Sequence, residues 1–146
     1  ILIMDADVLY DAAILERLIE STSRNCFLVD RQFDTGHEPV KICTNAGRIV
    51  EFRKQIAPDL TYNSVGESVG LFKFDAATAL KLATIVSTYV ADGRADEPHE
   101  EALRDLALAF PEAMGVEDIT GLPWIEIDFP EDVERAKKLL PRIDGR

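Results

Sequence analysis

Apolar runs alternate with amphipathic stretches along the chain, and the two periods separate strands from helices. Ile1 to Met4 is apolar throughout and predicts a buried strand. Asp11 can cap a helix by accepting a hydrogen bond from a first-turn backbone amide. Beyond it, Ile14, Leu15, Leu18 and Ile19 fall on one face of a helix reaching about Ser21. Residues 26–30 predict a second apolar strand, and the polar stretch from Arg31 to Pro39 a loop. Val40 to Thr44 and Arg48 to Phe52, joined by Asn45-Ala46-Gly47, predict a β-hairpin. A polar connector with Pro58 and Gly66 leads to a strand from Val69 to Phe74. Asp75 then caps a long helix through about Ala91, stopped by Gly93. Pro98 stands where a first-turn proline belongs, before a helix from Glu100 to Phe110. Residues 114–119 and 123–127 predict short strands, and Pro130 opens a last helix to about Leu140. Strands and helices mix without strict alternation, which predicts α/β architecture: a mixed sheet flanked by helices.

The length of 146 residues supports one domain, residues 1–146, and is too short for two. No apolar run approaches a bilayer span and no signal-peptide pattern is present, so a cytoplasmic protein without membrane contacts is expected. Cys26 and Cys43 both lie in apolar strand-like runs and read as buried free thiols. The net charge of −11 argues against a general nucleic-acid binder, which needs a basic face. The chain starts inside an apolar strand without a methionine, so a piece of a longer protein is expected.

Charge matters most at the two ends, where acidic residues follow short apolar runs. Carboxylates at the end of a buried strand are costly unless solvated, hydrogen-bonded or bound to a cation. In Ile3-Met4-Asp5-Ala6-Asp7, Asp5 reads as a turn residue, as does the helix cap Asp11. Asp7, placed at the carboxyl end of an apolar strand, is the candidate ligand, since ligands bind there in open α/β sheets. In Pro123-Trp124-Ile125-Glu126-Ile127-Asp128, Glu126 and Asp128 share one face of a strand and Ile125 and Ile127 the other. Two such strands side by side would converge on a hard cation such as Mg²⁺, which prefers oxygen ligands. Glu131 and Asp132 favour the macrodipole of the last helix. Trp124 reads as a core residue or a wall of the site, and His37 and His99 read as surface residues.

Taken together, Asp7, the hairpin ending in Glu51-Phe52-Arg53-Lys54, the run Gly66-Glu67-Ser68-Val69-Gly70-Leu71-Phe72, and Pro123-Trp124-Ile125-Glu126-Ile127-Asp128-Phe129-Pro130 resemble the nucleotidyltransferases that activate phosphorylated sugars and alcohols. Within them the chain is most similar to the small cytidylyltransferases acting on phosphocholine and 2-aminoethylphosphonate. The resemblance runs over nearly the whole chain and matches the carboxyl-terminal part of a Rossmann-like, GT-A-like fold. It implies catalysis at Asp7 and Asp128, with Mg²⁺ held by Asp7, Glu126 and Asp128. It also implies an acceptor side at Glu51, Lys54, Gly66 and Glu67, with a nucleoside triphosphate, CTP first, as donor and a small phosphorylated acceptor as partner; Trp124 joins the substrate-binding candidates as a wall of the site. The family's glycine-rich phosphate loop and its lysine have no counterpart here. The chain by itself is therefore expected to bind triphosphate poorly, and its uncovered first strand to self-associate.

Two other classes compete. Met4-Asp5-Ala6-Asp7-Val8 also resembles the Asp-x-Asp strand end of haloacid-dehalogenase-type phosphatases, with Asp5 as nucleophile and Asp7 as acid/base. The glycine expected after the second aspartate and the later acidic signature are missing. A non-catalytic acidic α/β interaction domain is the other reading.

Overall fold

The computed structural model describes residues 1–33 and 39–143. In chain order the strands are β1 (Leu2–Met4), β2 (Val8–Tyr10), β3 (Cys26–Asp30), β4 (Lys41–Asn45), β5 (Arg48–Arg53), β6 (Ser64–Lys73), β7 (Gly115–Asp118) and β8 (Trp124–Glu126). The helices are α1 (Ala12–Glu20), α2 (Ala76–Ala91), α3 (His99–Ala109) and α4 (Pro130–Ile143). The result is the expected α/β class, a mixed sheet flanked by helices.

The ten-residue β6 organises the main sheet, whose order is β5-β4-β6-β3-β7. β4 pairs with the first part of β6 and β1 with its last part. Both lie opposite β3, because Glu67 bridges Lys41 and Asp30, and Lys73 bridges Leu2 and Cys26. All these pairings are antiparallel; β3 and β7 run parallel. Between the pairs Phe27–Phe72 and Val29–Ser68 the register slips, and β6 carries the extra residues. Gly70 sits in this bulge at φ +72°, a conformation that side chains with a Cβ resist. β2 and β8 form a separate antiparallel ribbon.

Residues alternate across β3, and both faces are covered, so all five are buried. On one face Phe27, Phe52, Phe72 and Phe74 pack against Leu82 of α2 and Leu103 and Leu106 of α3. Phe27 meets its three aromatic neighbours edge-on at 5.1–5.7 Å, a favoured ring geometry. On the other face Leu28, Val69 and Leu71 pack against Ile14 and Leu18 of α1, with Val8, Tyr10 and Trp124 of the ribbon closing the edge.

The caps form as their chemistry predicts. Asp11 accepts from the Ala13 amide at 2.8 Å and Asp75 from the Thr78 amide at 2.8 Å. Ala46 and Gly47, both at positive φ, make the hairpin turn. Both cysteines are free and buried. No helix among the described residues is long and apolar enough to cross a membrane.

Four expectations need correction. The first strand is not buried: Leu2 and Met4 are 41% and 47% exposed, because β1 is an edge strand with one face open. Asp7 does not end that strand; Asp5 to Asp7 form the turn into β2, a strand too short for its own periodicity to reveal. Gly66 and Glu67 lie within β6 rather than in a connector. Pro98 is the residue before α3 rather than part of its first turn. His37, and with it residues 34–38 of the expected loop, lie outside the described residues.

Candidate functional site

Backbone pairing, rather than a shared loop, brings the two ends of the chain together. Val8 sits opposite Glu126 in the ribbon, and the Ile127 amide donates to the Asp7 carbonyl at 2.9 Å. Asp7 precedes β2, Glu126 ends β8 and Asp128 follows it. Oxygen atoms of Asp7, Glu126 and Asp128 consequently lie within 4.8 Å of one another. β8 stops at Glu126, so Asp128 reaches the cluster from the loop into α4 rather than from the strand face. That loop is fixed by Asp132, whose carboxylate accepts from the Phe129 amide at 3.0 Å and the Asp128 amide at 3.3 Å. Asp132 therefore caps its helix, as its first-turn position predicts, and indirectly orients Asp128.

Crowding of carboxylates shows in Glu126. Burial among its neighbours and the charges of Asp128, Asp7 and Asp5 push its carboxyl up to about 7, with the Lys54 ammonium pulling the other way. Such repulsion is relieved by a proton or by a cation. Three clustered carboxylates offer the hard oxygen donors that a divalent cation takes.

A cavity of about 350 Å³ opens beside the cluster, between Asp30, Gln32, Glu67, Trp124, Phe129 and Arg135, with Glu126 and Asp128 on its rim. Trp124 both packs on the core and lines this cavity. Its Nε1 donates to Asp30 Oδ2 at 2.8 Å. Asp30 went unremarked in the sequence, although it ends the buried strand β3, where a carboxylate needs a partner; its second oxygen accepts from the Gln32 amide at 2.8 Å.

The remaining acceptor-side residues separate. Glu67 lines the cavity. Lys54 lies in a neighbouring pocket with Val40, Ile56, Pro58 and Glu100, close enough to act on Glu126. Gly66 instead serves strand packing: a Cβ there would overlap the Val29 side chain and come within 2.7 Å of the Asp30 carbonyl oxygen. Glu51 is turned away, buried on the α3 side, and accepts from Arg104 at 2.5 and 3.0 Å and from the Phe52 amide at 2.8 Å. Burial opposes its ionisation, but Arg104 and that amide outweigh it and hold the carboxyl below its ordinary value. His99, read from sequence as a surface residue, places Nε2 3.2 Å from Asp5 Oδ1, and this contact raises its imidazole above the usual value.

The fold is the one found in nucleotidyltransferases. Three solved structures share it. The inositol-1-phosphate CTP transferase from T. maritima matches 97% of this chain at 21% identity with a TM-score of 0.71, using 55% of its own length. The CTP:phosphocholine cytidylyltransferase from Streptococcus pneumoniae matches 95% at 15% identity, with a TM-score of 0.61 over 57% of its length. The mannose-1-phosphate geranyltransferase from Thermus thermophilus matches 93% at 18% identity, with a TM-score of 0.51 over 49% of its length. The chain thus spans about half the length of the structures it resembles. No family model matches it.

Proposed function

We propose that a protein containing this chain is a Mg²⁺-dependent nucleotidyltransferase that moves a nucleotidyl group, CMP from CTP first, onto a phospho-sugar or phospho-alcohol and releases pyrophosphate. The observation that carries this reading is the convergence of Asp7, Glu126 and Asp128 beside a cavity suited to a small acceptor. The fold shared with transferases of that chemistry supports it.

In the reaction an acceptor phosphate oxygen attacks the α-phosphorus, the new P–O bond forms, and the bond to the bridging oxygen breaks as pyrophosphate leaves. The protein need supply no nucleophile; positioning and charge neutralisation suffice. Asp7, Glu126 and Asp128 would hold the ion, which neutralises charge building on the transferred phosphate when bound. Trp124 and Glu67 would orient the acceptor's alcohol end, and Lys54 its phosphate. The phosphatase alternative fits less well, because Asp5 is wedged against Gly70 and His99 instead of standing open for attack.

The test is pyrophosphate release by a longer polypeptide that carries this chain. Each of the four nucleoside triphosphates is paired with a panel of phosphorylated sugars and alcohols. Turnover with CTP and one acceptor is expected. Asp7→Asn and Asp128→Asn should each abolish it with the fold intact, since the amide keeps the volume but loses the anionic ligand. Full activity in both variants, or no turnover with any pair, would overturn the reading.

A further inference from the structure

We propose that Asp5, Gly70 and His99 form a clamp that positions Asp7. The proposal rests on the nucleotidyltransferase reading only for the use to which Asp7 is put. Asp7 lies in an exposed turn and belongs to the β2–β8 ribbon, which is not hydrogen-bonded into the main sheet as a strand. Asp5 is the residue at which the chain leaves the main sheet for that ribbon, and it is held from three directions. Its amide donates to the Gly70 carbonyl at 2.9 Å. Its carboxylate lies so close over Gly70 that a Cβ at position 70 would overlap Oδ2. Its other oxygen stands 3.2 Å from Nε2 of His99, the first residue of α3, whose Nδ1 in turn stands 3.3 Å from Glu100 Oε2.

The bulge at Gly70 thus has a use. Its carbonyl takes the Asp5 amide, and the missing side chain leaves room for the Asp5 carboxylate. His99 ties that carboxylate to α3. Asp5 is therefore a positioning residue: it fixes the start of a two-residue span whose end is Asp7. Outer-shell groups of this kind typically govern metal affinity by about 10- to 100-fold.

The experiment compares the wild-type chain with Gly70→Ala, His99→Ala, His99→Gln and Gly93→Ala. Gly93 shares the positive φ, at +74°, but has nothing within 4 Å of a built Cβ, so Gly93→Ala controls for backbone strain alone. Two readouts are used: Mn²⁺ affinity, and hydrogen-exchange protection of the Ile127 amide, which reports its bond to Asp7, against the Ile119 amide bonded to Val29 in the main sheet. Gly70→Ala and His99→Ala should lower Ile127 protection and weaken Mn²⁺ about tenfold or more. Ile119 protection should stay in place. His99→Gln, which keeps a donor, and Gly93→Ala should behave as wild type. Should Gly70→Ala fail to fold, His99→Ala decides by the same readouts. Unchanged Ile127 protection in the clamp variants, or an equal loss in Gly93→Ala, would overturn the proposal. Loss of Ile127 protection in the clamp variants of a chain that binds no Mn²⁺ would keep the clamp and remove the metal reading.

Discussion

Raising the pH from 6 to 8 should tighten divalent-cation binding at Asp7, Glu126 and Asp128, and Glu126 sets the size of the effect. Its carboxyl is pushed up to about 7, first by burial and then by Asp128, Asp7 and Asp5. A cation binds the ionised form, so proton and metal compete for the same oxygen. With a pKa near 7, about one-tenth of Glu126 is ionised at pH 6 and about nine-tenths at pH 8, which predicts about a tenfold gain in affinity. Stability of the metal-free chain should run the other way. A carboxyl raised on folding favours the native state when protonated, so its contribution is complete below the ordinary value of 4.5 and is lost as pH rises through about 7. Isothermal titration with Mg²⁺ or Mn²⁺ and urea unfolding of the metal-free chain, each at several pH values in wild type and Glu126→Gln, check the two parts. The variant should bind more weakly at pH 8 and lose the pH dependence between 6 and 8. A flat wild-type profile, or an unchanged slope in Glu126→Gln, would refute the reasoning.

Other consequences are equally accessible. Arg104→Leu strands the buried Glu51 carboxylate and should cost about 3 kcal/mol by urea unfolding, with Glu51→Gln in the same chain recovering most of it; a loss below about 1 kcal/mol would show that the pair is solvated in solution. Lys54→Ala in an active parent should raise acceptor KM and leave nucleotide affinity little changed, and an unchanged KM would return Lys54 to the solvated surface. Met4→Lys places a charge on the open face of β1 and should shift any self-association of the chain toward monomer in light scattering; indifference to the substitution would mean that β1 is not the contact.

Much of the site was legible because its signal is local. Carboxylates that follow apolar runs stand out wherever they fall, and Asp7, Glu126 and Asp128 each did. What brings them together was not legible: β2 is three residues long, and its partner lies more than a hundred residues away. Neither strand carries enough periodicity to announce the pairing. Glu51 and Lys54 looked alike as charged residues ending a hairpin strand, yet one turns to Arg104 and the other toward the cluster. Glu51 lies within β5, whereas Lys54 falls just past its end at Arg53, a boundary the sequence does not mark. Continuous hydrophobicity made β1 read as buried, because the pattern reports apolar residues and not what lies beside them. Helix caps and the hairpin turn came through intact, since their chemistry is settled within a few residues.

The three-way pairing of β6 also bears on how the chain assembles. β4 and β5 can zip together over a two-residue turn, but among the described strands β1 and β3 find their antiparallel partner only in β6, and β7 pairs parallel to β3. Within this chain β1 and β3 are made before β6 and wait for it to pair with them. Because such pairings join distant segments, the loop entropy is spent before most contacts form, and slow folding follows. The waiting interval, rather than the finished molecule, is when this chain is most open to aggregation or to capture by a chaperone.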